Sequence, residues 1–206
     1  MSVSPLNILF LPRWYPHRYD PMPGLFIQRQ AEALASVHQV VVLYVHPDAD
    51  CPSEFEIDYA IENGVTAVRV YYKIPEIILP GIFQVLNLTS FYRAHKRGLE
   101  VVGDFTPDII HSHILTREAI MGYLMSRRYH VPHVISEHWS RYFPENGTYK
   151  GILRKLITRY VVGKAAAVIA VSEVLKQAML SSHLINENYF VVPNVVDPPH
   201  LIEPHD

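Results

Sequence analysis

The sequence predicts an α/β protein: a Rossmann-like, mostly parallel sheet with helices on both faces and an inserted β-hairpin. Three observations carry this. Short apolar runs alternate with helical patterns along the chain. One run, Gln39–Val45, is continuously apolar, as suits a strand covered on both faces. Asn63-Gly64 stands between two strand-like runs, the strongest short hairpin signal. A length of 206 residues fits one large domain, expected over residues 1–193.

Strand 1 is expected at Asn7–Leu11, on the run Ile8-Leu9-Phe10-Leu11. A loop of aromatics, prolines and charges follows from Pro12 to Gly24, and a helix over Leu25–Ser36 has Pro23-Gly24 at its mouth. After Gln39–Val45 come the hairpin strands, Phe55–Ile61 and Val65–Tyr72, the second expected to return to the main sheet. Ile74–Leu88 is very apolar but broken by Pro75 and Pro80-Gly81. A long helix is expected from Phe83 to Gly103, basic in its later part at Arg93, His95, Lys96 and Arg97.

Pro107-Asp108 opens the strand Ile109–His113. Thr116 is expected to cap a helix over Arg117–Tyr129, with Glu118 in the first turn, where the dipole favours a carboxylate. Pro132–Ser136 reads as a strand and Glu137-His138-Trp139 as the start of a loop reaching Thr148. The helix expected at Tyr149–Lys164 is amphipathic. Ile152, Leu153, Leu156, Ile157, Tyr160 and Val161 form its apolar stripe, with Arg154, Lys155 and Arg159 away from it. Ala166–Val171 is a strand, Ser172 caps the next helix with Glu173 at its first position, and Tyr189–Val192 is the last strand. Residues 194–206 are proline-rich and aperiodic, and are expected to be a linker leading to a further domain.

Composition excludes several classes. The chain is 49% hydrophobic and 18% charged, enough to bury a core and unlike a disordered chain. A net charge of −2 gives no general attraction to nucleic acid, so none is expected as a partner. The single cysteine, Cys51, permits no intrachain disulfide and fits a reducing compartment. No signal peptide or spanning segment is read, so a cytoplasmic location is expected. The sequons Asn87-Leu88-Thr89 and Asn146-Gly147-Thr148 are taken as chance. The apolar Ile74–Leu88 stretch and basic helices leave open peripheral contact with the inner face of a membrane.

In an open parallel sheet, ligands bind outside the carboxyl ends of the strands. The residues there are the loop after Leu11, His111 and His113, Glu137 and His138, Ser172-Glu173, and Asn194. Gly24, beside a helix start, suits close approach of backbone N–H groups to an anion, or simply a turn. His111 and His113 share one strand face and read as cleft contacts or buried core histidines; no metal site is expected, since no partner cysteine or H-E-x-x-H helix accompanies them. His138, the candidate catalytic residue, is either a loop histidine held by hydrogen bonds or a neutral imidazole that binds a sugar hydroxyl or polarises a reacting group. Glu54 and Glu62 have E-x7-E spacing but flank the hairpin, far from the expected cleft, and are taken as chance.

Five ordered pieces resemble the family 4 glycosyltransferases. They are Trp14-Tyr15-Pro16 through Gly24-Leu25-Phe26 to Ala33-Leu34; Pro107-Asp108-Ile109-Ile110-His111-Ser112-His113; Ser136-Glu137-His138; Ala170-Val171-Ser172-Glu173; and Val191-Val192-Pro193-Asn194. The chain departs from the family at Val195, where members have a glycine. The resemblance implies one half of the GT-B architecture, the acceptor-side N-terminal domain, with a C-terminal donor domain outside this chain. It implies a retaining transferase, of hexosyltransferase type, moving a sugar from a nucleotide-sugar to a glycan or lipid-linked acceptor, as in polysaccharide synthesis. It implies no cofactor beyond the donor substrate, and no activity for residues 1–206 alone. By the same resemblance Gly24 and Leu25 approach the donor phosphates and His138 lies near donor sugar and acceptor. Arg13, Trp14 and His17 are expected on the acceptor wall. The alternatives are a free-standing Rossmann-like binding or regulatory domain and an epimerase-like enzyme.

Overall fold

The computed structural model describes residues 4–76 and 79–194. The elements, in chain order, are β1 (Asn7–Pro12), α1 (Leu25–Ala35), β2 (Gln39–Asp48), β3 (Phe55–Glu62), β4 (Val65–Lys73), α2 (Pro80–Val102), β5 (Ile109–His113), α3 (Arg117–Tyr129), β6 (His133–Glu137), α4 (Ile152–Lys164), β7 (Ala167–Ala170), α5 (Glu173–Ser181) and β8 (Tyr189–Val191). A short 3-10 turn, Ser140–Tyr142, follows β6. The strands form one sheet in the order β3-β4-β2-β1-β5-β6-β7-β8. All pairings are parallel except β3–β4, the hairpin turned by Asn63-Gly64, whose second strand pairs with β2. The expected fold class is the one observed.

Strand side chains alternate between two faces. Leu9 and Leu11 of β1, with Leu43, Val68 and Val70, pack under α2 and α3 against Phe91, Ala94, Met121 and Met125. Ile8 and Phe10 point the other way and pack with Val40, Val42 and Val65 against Ile27 and Ala31 of α1. A third cluster joins Ile135, Val168 and Ala170 to α4 and α5 through Val161, Val162, Leu175 and Met179. Gly98 lets α2 settle onto the sheet: a Cβ there would stand 3.0 Å from a Val70 methyl and still nearer to Leu43.

Several boundaries shift for physical reasons. β2 continues to Asp48 because β4 supplies partners as far as Lys73. α2 starts at Pro80, a position that needs no N–H donor. α4 starts only at Ile152, after Gly151 with φ +95°. Thr116 holds the N-cap position of α3 without a capping bond; its hydroxyl donates to Glu118 instead. The apolar stripe of α4 is corrected. Ile152, Leu153, Leu156 and Tyr160 are 52–81% exposed, and Thr158, Val161 and Val162 face the core. The linker expected over residues 194–206 lies, apart from Asn194, outside the described residues.

The Glu54/Glu62 pair divides between two separate ion pairs, Glu54 with Arg93 and Glu62 with Arg69 (2.8 Å). Among the described residues, no helix is long and apolar enough to cross a membrane.

Candidate functional site

β1 sits where the order of connections reverses, with β2 on one side and β5 on the other. Loops leaving neighbouring strands there run to opposite faces and open a crevice. The loop after β1 is pinned in it: Arg13 N donates to His113 O (3.1 Å), and Tyr15 is fully buried. Its outer turn closes on itself through His17 and Asp20, whose backbone groups exchange hydrogen bonds of 3.0 and 3.1 Å. Arg18 anchors that turn to Asp48 and to Glu56 (2.7 Å) and stacks on Tyr71 at 3.9 Å.

The loop ends at Gly24, where φ is +75°. A Cβ at this position would lie 2.8 Å from Tyr15 N and closer still to the Trp14 carbonyl, so only glycine fits without moving backbone. Gly24 O accepts from Ile27 N (2.9 Å) and Gln28 N (3.0 Å), which starts α1. No side chain caps this helix and its first turn has no carboxylate. The positive end of the helix dipole is therefore left for another group. Leu25, half-buried, is the first helical residue.

Three histidines form a column beside this helix. His111 and His113 stack at 4.2 Å, and His113 and His138 at 5.5 Å with planes 19° apart. Phe10 packs under the first two, and Phe26 of α1 lies 4.6 Å from His138. The Asn194 amide oxygen is 3.1 Å from His138 Nδ1 and also receives Gln30 Nε2 at 3.5 Å. With that oxygen as acceptor, His138 carries its proton on Nδ1 and leaves Nε2 to accept from His113 Nδ1 at 3.3 Å. His113 Nε2 is then a bare lone pair, buried without a partner among the described residues. His111 Nε2 meets Ser136 Oγ at 2.8 Å. Burial pulls His138 down to about 4 and His111 to about 3, and His113 well below its usual range, so the column is neutral at pH 7.

Glu137 is fully buried and both its oxygens are taken. Oε1 accepts from His138 N (2.9 Å) and Trp139 N (2.8 Å); Oε2 accepts from Leu115 N (2.9 Å) and the Tyr142 hydroxyl (2.8 Å). Burial pushes its carboxyl up, and the four donors oppose that shift. The carboxylate expected at the cleft instead shapes the loop that carries His138. Ser172 is likewise occupied: its hydroxyl accepts from Leu175 N (3.2 Å) and caps α5, as read from the sequence.

Arg13, Trp14, His17, Gly24, Phe26 and His46 line a cavity of about 580 Å³. His17 stacks on His46 at 4.4 Å rather than joining the histidine column. Desolvation lowers His17 and brings His46 down to about 4. The structure thus gathers Arg13, Trp14, His17 and Gly24 at one cavity, with His138 and Asn194 joined to it through Phe26. Phe26 and Gln30 escaped the sequence reading. Their only signal was position: on α1 they lie one helical turn apart, at i and i+4, on the face next to Gly24.

Residues 24–199 match the model of Glycosyltransferase Family 4, so the match begins at the glycine that starts α1. Two solved structures share the fold. One is a sucrose-phosphate synthase from Thermosynechococcus elongatus, with a TM-score of 0.59 and 13% identity over 91% of this chain and 48% of that one. The other is a UDP-glucose: anthocyanidin 3-O-glucosyltransferase in complex with UDP, with a TM-score of 0.52 and 14% identity over 100% of this chain and 56% of that one. The chain spans about half the length of each. No curated protein matches it in sequence.

Proposed function

The chain belongs to glycosyltransferase family 4, and from that premise we propose that it is the acceptor-side half of a retaining transferase. The enzyme moves a sugar, of hexosyl type, from a nucleotide-sugar to a glycan or lipid-linked acceptor. The observation that carries this reading is the uncapped N-terminus of α1, with a glycine at its mouth that tolerates no side chain. Backbone N–H groups and a helix dipole at that point suit the negative charge that develops on a leaving diphosphate. His138, neutral and oriented by Asn194, is placed to hold a hydroxyl of the sugar or acceptor. Arg13, Trp14 and His17 form the acceptor wall.

The donor is gripped mainly by a second domain, whose closure brings the diphosphate to Gly24. Residues 1–206 alone are accordingly expected not to transfer sugar. The epimerase-like alternative needs its own acid/base pair in this cleft, and Glu137, the carboxylate expected there, is locked into the fold by four hydrogen bonds. Exposed Ile82, Val85 and Leu88 of α2 and Ile152 and Leu156 of α4 support peripheral contact with the cytoplasmic face of a membrane.

The test is release of nucleoside diphosphate from a panel of nucleotide-sugars by the complete enzyme with a glycan acceptor. Turnover is expected, with kcat reduced about a hundredfold by His138→Ala. No release with any donor, or an unchanged kcat in the variant, refutes the proposal.

A further inference from the structure

Trp14, on the first cavity, contacts Trp139 at 5.5 Å, and Trp139 lines a second cavity of about 650 Å³. Arg13 belongs to both. Three more arginines face the second: Arg117 at the start of α3, Arg141 in the loop after β6, and Arg154 in the first turn of α4. Among the described residues these four positive charges are answered by one carboxylate. Glu118, 2% exposed, lies 3.4 Å from Arg13 Nη1 and 3.6 Å from Arg117 Nε, and also accepts from the Thr116 hydroxyl.

Arg141 is the anomaly. It is 9% exposed, its guanidinium lies over Trp139 at 3.9 Å, and its Nε is buried with no hydrogen-bond partner among the described residues. Among the described residues it makes no ion pair. A guanidinium at that depth is costly unless an anion answers it. Arg117 Nε is also buried without a hydrogen-bond acceptor. Leu115, Ile120, Leu153 and Ile157 make an apolar part of the wall, and Asn87, Thr116 and Thr158 add neutral polar groups.

We propose that this second cavity binds a phosphoryl group of the acceptor, held by the Arg13–Arg117–Arg141–Arg154 cluster beside an apolar wall. The planar guanidinium fork matches a tetrahedral oxyanion, and several forks around one anion give both orientation and affinity. The position of the cluster sets the acceptor's register: its anion rests beyond the tryptophan pair while its nucleophilic end reaches toward Gly24 and His138. This assignment rests on reading the chain as the acceptor side of a transferase.

The test is calorimetric titration of the protein with inorganic phosphate, decyl phosphate below its micellar concentration, and neutral decyl glucoside. Phosphate-class ligands are expected to bind, more weakly as salt rises, and at least about tenfold more weakly to Arg154→Gln and Arg141→Gln. Arg154 is exposed, so its variant keeps the fold should the buried Arg141 variant lose it. Tighter binding of decyl phosphate than of inorganic phosphate assigns the apolar wall to a lipid-linked acceptor. Equal affinity assigns the site to a free phosphorylated one. Absence of phosphate binding, equal binding of decyl glucoside and decyl phosphate, or indifference to the Arg154 substitution overturns the proposal. The readout does not depend on turnover: phosphate binding without any sugar transfer by the complete enzyme would sink the transferase reading and leave this anion site standing, and the reverse result would do the opposite.

Discussion

Replacing Gly24 with alanine tests whether the geometry at the mouth of α1 is imposed by sterics. Two costs add. An L-residue held at φ +75° loses about 1–2 kcal/mol relative to glycine. The new Cβ would also stand 2.8 Å from Tyr15 N and nearer to the Trp14 carbonyl, and these are backbone atoms in a loop fixed by buried Tyr15. Overpacking of this kind costs about 1–3 kcal/mol. The sum is about 2–5 kcal/mol, and at roughly 2–4 °C per kcal/mol for a chain of this size the melting temperature should fall by about 4–20 °C. Gly81→Ala is the internal control. Gly81 is helical and a Cβ there meets nothing within 4 Å. That change should raise stability by about 0.5–1 kcal/mol. Both are read by thermal melts followed by circular dichroism. A Gly24→Ala melting temperature within about 2 °C of the parent would refute the steric argument.

Glu137→Gln places an amide NH2 where an oxygen now accepts two hydrogen bonds; the Tyr142 hydroxyl can turn to accept, but a backbone N–H cannot. A loss of about 2–4 kcal/mol is expected as a lower urea midpoint at constant slope, and an unmoved midpoint contradicts it. Buried His95, lowered from 6.5 to about 4 by desolvation, takes up its proton more readily in the unfolded chain. Its neutral form therefore supports the fold above about pH 6.5, and that support is lost as pH falls toward about 4. His133 and His138, also lowered to about 4, add in the same direction. Melting temperatures should drop steeply across that window, and His95→Leu should flatten the drop; an equal slope in the variant counts against the account. Ile152→Glu combined with Leu156→Glu, at exposed positions of α4, should cut co-sedimentation with anionic vesicles about tenfold or more without changing the melt. Unchanged sedimentation removes the membrane contact.

Much of the fold is legible because it rests on local pattern. The centres of β1 and β2, Ile8–Leu11 and Val40–Val45, are continuously apolar, which suits strands covered by helices on both faces, and Asn63-Gly64 marks the only antiparallel pairing in the described sheet. α4 was misread because periodicity shows that a helix has an apolar side but not that the core is what meets it. Its exposed Ile152 and Leu153 and its buried Thr158 invert the simplest expectation. At the site, Gly24 and His138 could be picked out as a helix-start glycine and a strand-end histidine. Glu137 looked like a chemical group for the same reason, and only its four donors show that it is structural. Arg141 and Arg117 could not be joined from sequence at all. They lie on different elements, and a shared cavity is a property of packing, with no spacing rule behind it.

Asn194, just after β8, ties the chain to His138 and, through Gln30, to α1. The amide oxygen at that point decides which nitrogen of His138 bears the proton, and so which nitrogen of His113 is left bare. Withdrawal of Asn194 would release both rings to change tautomer together. A displacement of Asn194 would then be registered at His113 as a swap of donor for acceptor. Asn194 would act as a selector of hydrogen-bond polarity in the cleft.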